Sequence, residues 1–242
     1  MHRKHVLSVS VILTLLVFPL SFYAQHIIKP DLKTISPVFD GWLRNPDGTF
    51  TLFFGYFNLN LDETPIAVGT NNNVTPEPED RGQPTNFLSL RQRHVFHVTV
   101  PADWNDQVTW TVGVPGTDHR EQTRGGLNKI YEIENPGGIK APQLHGLPSQ
   151  EVMAKVGEPL TLNGSAVAAN TEHGELTVLW SKNRGPTEGR VQFTFPTSAA
   201  TAVTFSEPGT YVLRLRVEER VNMGGSSEEH HTDAHMTVTV LP

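Results

Sequence analysis

The chain is 242 residues long, with 37% hydrophobic and 18% charged residues, enough apolar material to bury real cores, while 20 Gly and 18 Pro predict many turns and few long helices. With no cysteine, disulfides, zinc–thiolate sites, iron–sulfur clusters and thiol nucleophiles are excluded. A formal net charge of −6 argues against binding to a phosphate backbone, so nucleic acid is not an expected partner.

His2, Arg3, Lys4 and His5 form a basic head before an apolar run from Val6 to Phe18, followed by Pro19, Ser21 and Ala24. That is the order of an export signal, so residues 1–24 are expected to be removed by cleavage after Ala24, an uncleaved anchor being the alternative. The run is short for a bilayer, and nothing downstream is apolar enough to span one, so no membrane span is expected in the mature chain. An exported chain without disulfides suits a bacterial envelope, periplasmic or extracellular.

From Phe39 onward, short apolar runs of period two alternate with Pro, Gly and Asn, which predicts an all-β chain of antiparallel sandwiches. Gly41 to Leu43 and Thr49 to Phe57 flank Asn45-Pro46-Asp47-Gly48, a turn in which Pro presets φ and Gly accepts a positive one, and so form a hairpin. The second arm is apolar on both parities (Phe50, Leu52, Phe54 and Tyr56 against Phe53 and Phe57), as a central, doubly covered strand would be. Asn58, Asn60 and Asp62 with Glu63 have the opening rhythm of a calcium loop but lack its later Gly and Glu. They read better as a strand end with Leu59 and Leu61 packed inward. No other cofactor is expected.

Residues 69–92 form the longest stretch without a pattern, and compact domains rarely keep such a loop without a use. Two strands follow, one with Phe96, Val98 and Val100 inward and one with Val108, Trp110, Val112 and Val114 inward, joined by a turn that carries Trp104. A short strand at Lys129 to Ile133 closes a first domain of residues 25–135, and residues 136–148 read as a Pro/Gly linker. Residues 149–242 contain seven strand-like runs, from Glu151 to Val156 through to Thr232 to Leu241, with a polar loop expected at Glu218-Glu219-Arg220. Seven short strands in this length is the count of an immunoglobulin-like sandwich.

Leu176 to Lys182, Gly185-Pro186, Val203 to Val217 with Pro208-Gly209 and Tyr211, and Thr232 to Val240 together resemble a PKD-type immunoglobulin-like domain over about residues 150–242. The resemblance implies a spacer or interaction module. On the physical reading, Trp180 is a core tryptophan, Tyr211 turns its hydroxyl onto nearby backbone, and Leu213, Leu215 and Val217 face inward. In the first half, Phe39 to Phe50, Phe54 to Asn58 and Asp80 to Phe87 are similar to an uncharacterised exported bacterial family, a likeness that brings no chemistry.

Within 69–92, acids, amides and guanidiniums alternate around one aromatic anchor, Phe87, which suits hydrogen bonding to a glycan or a protein backbone. The ligand-binding candidates are Asp80, Arg81, Asn86 and Arg91, with Trp104 as an exposed aromatic partner. The competing view makes this segment a connection held by Arg81 pairing with carboxylates. Glu229, His231, Asp233 and His235 share one parity of the last strand, but a straight strand cannot converge them on one ion; no metal is expected, and the set reads as a solvated face with scope for pH sensing. No nucleophile elbow, His-Glu-x-x-His or Walker loop occurs, and a carboxylate pair among Asp40, Asp62, Glu63, Asp80, Asp103 and Asp106 would be defined only by distance. The expectation is a non-catalytic binding module for a protein partner or polysaccharide. A carbohydrate-active hydrolase and a structural subunit of an envelope assembly are the alternatives.

Overall fold

Alternation of apolar side chains sets the strands, and the first hairpin is built as its turn sequence requires. β1 (Ile35–Arg44) pairs antiparallel with β2 (Phe50–Asn58), and Gly48, at φ +88°, donates its N–H to the Asn45 carbonyl at 3.0 Å. The computed structural model describes residues 33–133, 141–169, 174–223 and 226–242; the expected export signal with its expected cleavage after Ala24, and residues 136–140 of the expected linker, lie outside them.

The first half continues with β3 (Thr64–Pro65), β4 (Asn72–Thr75), β5 (Asn86–Phe87), β6 (Leu90–Val100), β7 (Val108–Gly113) and β8 (Arg120–Gly125). Sheets β1-β2-β6 and β4-β7-β8 enclose one core, beside a small β3-β5 pair. Trp110 is fully buried among the rings of Phe54, Tyr56, Phe87 and Phe96, with centroids 4.9 to 6.5 Å away. Its indole N–H donates to Asn72 Oδ1 at 3.0 Å, so this buried polar atom is satisfied.

Three expectations change here. Residues 69–92 are not a structureless loop: they contain β4, β5 and the start of β6, paired with β7, β3 and β2. Their apolar positions are too sparse to show a period, because buried Asn72, Gln83 and Asn86 satisfy backbone and side-chain groups from inside. Leu59 and Leu61 are 51% and 94% exposed, whereas Asn58 is buried and donates to the Phe87 carbonyl, so the parity after β2 is the reverse of that expected. In place of a strand at Lys129 to Ile133 there is a 3₁₀ turn (Lys129–Tyr131), started by the Asn128 side chain accepting from the Ile130 N–H.

The second half has β9 (Gln143–His145), β10 (Val152–Lys155), β11 (Leu160–Asn163), β12 (Ser165–Val167), β13 (Gly174–Arg184), β14 (Val191–Phe193), β15 (Ala200–Phe205), β16 (Gly209–Met223) and β17 (Ser226–Leu241). Sheets β10-β17-β16-β13 and β11-β15-β14 enclose a second core, with β9 and β12 paired beside it. β10 runs parallel to β17, and the other named pairings are antiparallel. The chain is all-β: among the described residues there is no α-helix, and no helix long and apolar enough to cross a membrane. Trp180 is buried, Leu213, Leu215 and Val217 point into the core, and the Tyr211 hydroxyl donates to the Glu207 carbonyl at 2.9 Å. Glu218-Glu219-Arg220 is not a loop but part of β16; Glu219 is buried and its carboxylate accepts the Ala169 N–H at 2.9 Å, so the polar run has a partner inside the fold.

Candidate functional site

The two halves belong to one compact unit, and what joins them is mostly polar. On the face of β16-β17 away from the core, Arg214 and Arg216 are only 3% and 8% exposed. Both donate to Asp233, Arg214 Nε at 2.9 Å and Arg216 through a side-on fork at 2.9 and 2.7 Å, and both also donate to the Arg93 carbonyl of the first half. His231 completes the contact, its Nε2 lying 2.9 Å from Nδ1 of His94.

The first half is shaped to meet this face by irregularities in register. β1 bulges between Phe39 and Gly41, putting Asp40 out of step, and β6 bulges opposite Gly55, putting His94 at φ +49°. The Asp40 carboxylate holds both, pairing with the Arg91 guanidinium and accepting the His94 N–H at 2.7 Å. Any side chain at position 55 would collide with Asp40, the Gln92 carbonyl and Arg91, which explains the glycine there.

The electrostatics follow from packing. Burial, and then the Arg216 charge, push His231 from 6.5 down to about 3, and burial also lowers His94, so the pair is neutral near pH 7. Burial by itself would raise the Asp233 carboxyl, but hydrogen bonds and charge from Arg216 and Arg214 outweigh it and hold the group at about 2. The last strand's polar parity is therefore not a solvated face at His231 and Asp233: it is the interface with β6, and its carboxylate is taken by two arginines. The side chain of Glu229 lies outside the described residues, His235 is exposed, and no group of metal-ligating side chains occurs among the described residues.

Beside this network the halves leave a cleft of about 580 Å³ between β13 and β14 on one side and the β3-β5 pair on the other. Its walls are held firmly. Lys182 Nζ donates to the Pro186 and Gly189 carbonyls at 2.7 and 2.8 Å, locking the β13–β14 connection. Asn86 Nδ2 donates to Glu63 at 2.8 Å and to the Lys182 carbonyl at 3.2 Å, tying the β5 lip to β13. Trp180 stacks on Phe193 with centroids 5.9 Å apart, and Leu179, 40% exposed, stands on the wall.

The five residues singled out in the sequence are dispersed. Asp80 pairs with Arg184 of the second half at 2.7 Å, and Asn86 sits at the cleft. The Arg81 guanidinium donates to the carbonyls of Pro76, Glu77 and Pro78 rather than to carboxylates, so it braces its own turn. Arg91 neutralises Asp40. Trp104 is half-buried at a separate depression of about 370 Å³ with Arg124, Asn128 and Tyr131, its indole N–H buried without a partner among the described residues. Trp42 and Tyr56 are core residues: the Trp42 indole donates to the Asn128 carbonyl, and the Tyr56 hydroxyl accepts from the Leu88 N–H.

Sequence reasoning missed Arg214, Arg216, Lys182 and Leu179. The signal for the first two was present: Arg alternates with Leu along Tyr211 to Val217, and the last strand carries His and Asp at one parity, so two opposite-charged faces could be matched. No family model matches the chain, and no solved structure matches it significantly.

Proposed function

We propose that this is an exported, non-catalytic binding module of the bacterial envelope or its surroundings that holds a partner in the cleft between its two sandwiches. The observation that carries the reading is the cleft itself, formed by both halves and fixed by Lys182, Asn86 and the Asp80–Arg184 pair before any ligand arrives. Junctions between domains are a common place for ligand sites, and rigid walls lower the ordering cost of binding. Three of the carboxylates considered for hydrolysis, Asp40, Glu63 and Asp80, are engaged with Arg91, Asn86 and Arg184, which favours binding over turnover. The resemblance of residues 150–242 to a PKD-type module points the same way.

The test places a photo-crosslinking residue at position 179 and, as a control far from the cleft, at position 130, in protein exported by a bacterial host. Stoichiometric capture of one envelope protein or polysaccharide from position 179 only, abolished by Arg190→Glu together with Gln192→Glu, is the expected result. Equal capture from both positions, or turnover of envelope glycans that survives every cleft substitution, overturns the reading.

A further inference from the structure

Two sheet edges border the cleft: that of β14 is open, and that of β13 is occupied over part of its length. In the β14–β15 pairing, Ser206 N–H donates to the Arg190 carbonyl and Thr194 N–H to the Ala202 carbonyl, with Gln192 opposite Thr204. Antiparallel strands alternate inward- and outward-pointing backbone groups. Residues 190, 192 and 194 therefore spend their groups on β15, and Val191 and Phe193 turn both N–H and C=O to the free edge. On β13, Trp180 N–H points away from β16 to the Pro196 carbonyl at 2.8 Å, so Val178 and the Trp180 carbonyl share that outward direction. Farther along, the same edge is covered by the first half, through Asn86 on the Lys182 carbonyl and Thr85 N–H on the Asn183 carbonyl. The open groups of Val191, Phe193 and Val178 have no partner among the described residues.

We infer that the cleft takes an extended peptide segment of a partner protein, added as a strand along the open edge of β14. This rests on the binding reading above and names the class of partner. Donor and acceptor recur together at every second residue, about 6.5 to 7 Å apart. That spacing is matched by another polypeptide backbone, whereas the hydroxyls of a sugar chain follow no such repeat. Half-buried Leu88 and exposed Leu179 lie on the wall to receive alternate side chains of the incoming strand. The Trp180–Phe193 stack and the Lys182 lock hold the edge in place, so the strand enters a formed slot.

Random peptides displayed on phage are selected against the full chain, and a selected peptide is then followed by amide hydrogen exchange and affinity. Expected are sequences with alternating apolar residues, slowed exchange at Val191 and Phe193 with little change at Gln192, and about tenfold weaker binding for Val191→Pro, the loss of one backbone hydrogen bond. Val191→Pro removes no bond to β15, and Leu179→Glu, on the exposed wall, serves as a second variant should the proline disturb folding. Selected peptides that protect amides elsewhere and ignore both variants overturn both this inference and the cleft reading. Failure to select peptides, with envelope polysaccharide bound and lost in Leu179→Glu, overturns the peptide alone and leaves the cleft as a binding site.

Discussion

The molecule has two kinds of interior. Around Trp110 the first sandwich buries rings against rings, with an indole hydrogen bond to Asn72; at the junction two buried arginines meet a half-buried aspartate and two half-buried histidines. The aromatic core gains from leaving water whatever the pH or salt. The junction gains only while each charge keeps its partner, because desolvation of a buried ion is recovered only through well-formed pairing. The sandwiches are thus unconditional and their union conditional, which matters for a cleft whose two walls come from different halves.

The largest loss of stability is expected on the apolar side. Trp110→Ala leaves a large cavity and an orphaned Asn72 oxygen, and is expected to cost about 4 to 5 kcal/mol of stability in urea titrations; a loss below about 2 kcal/mol would mean that the ring cluster collapses around the gap. Asp233→Ala leaves Arg214 and Arg216 buried without their counter-charge and should cost about 3 kcal/mol. Its distinguishing mark is that the aromatic environment of Trp110, read by near-ultraviolet circular dichroism, is kept.

Acid separates the two interiors without mutation. The folded pKa of His231, about 3, lies below its ordinary 6.5, so below about pH 6.5 the unfolded chain binds a proton that the folded one refuses. Stability is full above that value and falls as pH drops toward 3, by about 2 kcal/mol on reaching about pH 5. Asp233, held at about 2 against 3.8, adds a second loss in the lower window between those values. A His231→Gln variant should flatten the first part of the profile, and an unchanged slope would assign the acid sensitivity elsewhere.

Smaller effects sharpen the contrast further. Tyr211→Phe removes the hydroxyl that holds the Glu207 carbonyl and should cost about 1 kcal/mol by thermal or urea unfolding. Asp80→Asn breaks a partly exposed pair with Arg184 and should cost less than about 1 kcal/mol, diminishing further in high salt.

Much of the fold was legible because alternation reports burial directly. Val108, Trp110 and Val112, or Leu213, Leu215 and Val217, have no stable alternative to facing a core. The Asn45–Gly48 turn was legible for the same reason, its residue types matching one backbone geometry. Where a polar residue was the buried one, pattern misled: Asn58 and Asn72 lie inside because they satisfy backbone carbonyls of other segments, and Leu59 and Leu61 are left outside the core. The candidate site was only partly legible. Asp80 and Asn86 do lie at the junction, but their partners Arg184 and Lys182 are about a hundred positions away.

By itself, then, the order of residues determined an all-β chain, its principal strands and the core placement of Trp110 and Trp180, since each follows from local periodicity and turn chemistry. Tertiary structure alone decided that His231 and Asp233 face the other half rather than water, that Arg214 and Arg216 share one carboxylate, and that the open edge of β14 borders a cleft walled by both halves. A strand has two faces, and its sequence tells which is polar; what lies against the polar face depends on how the two halves meet.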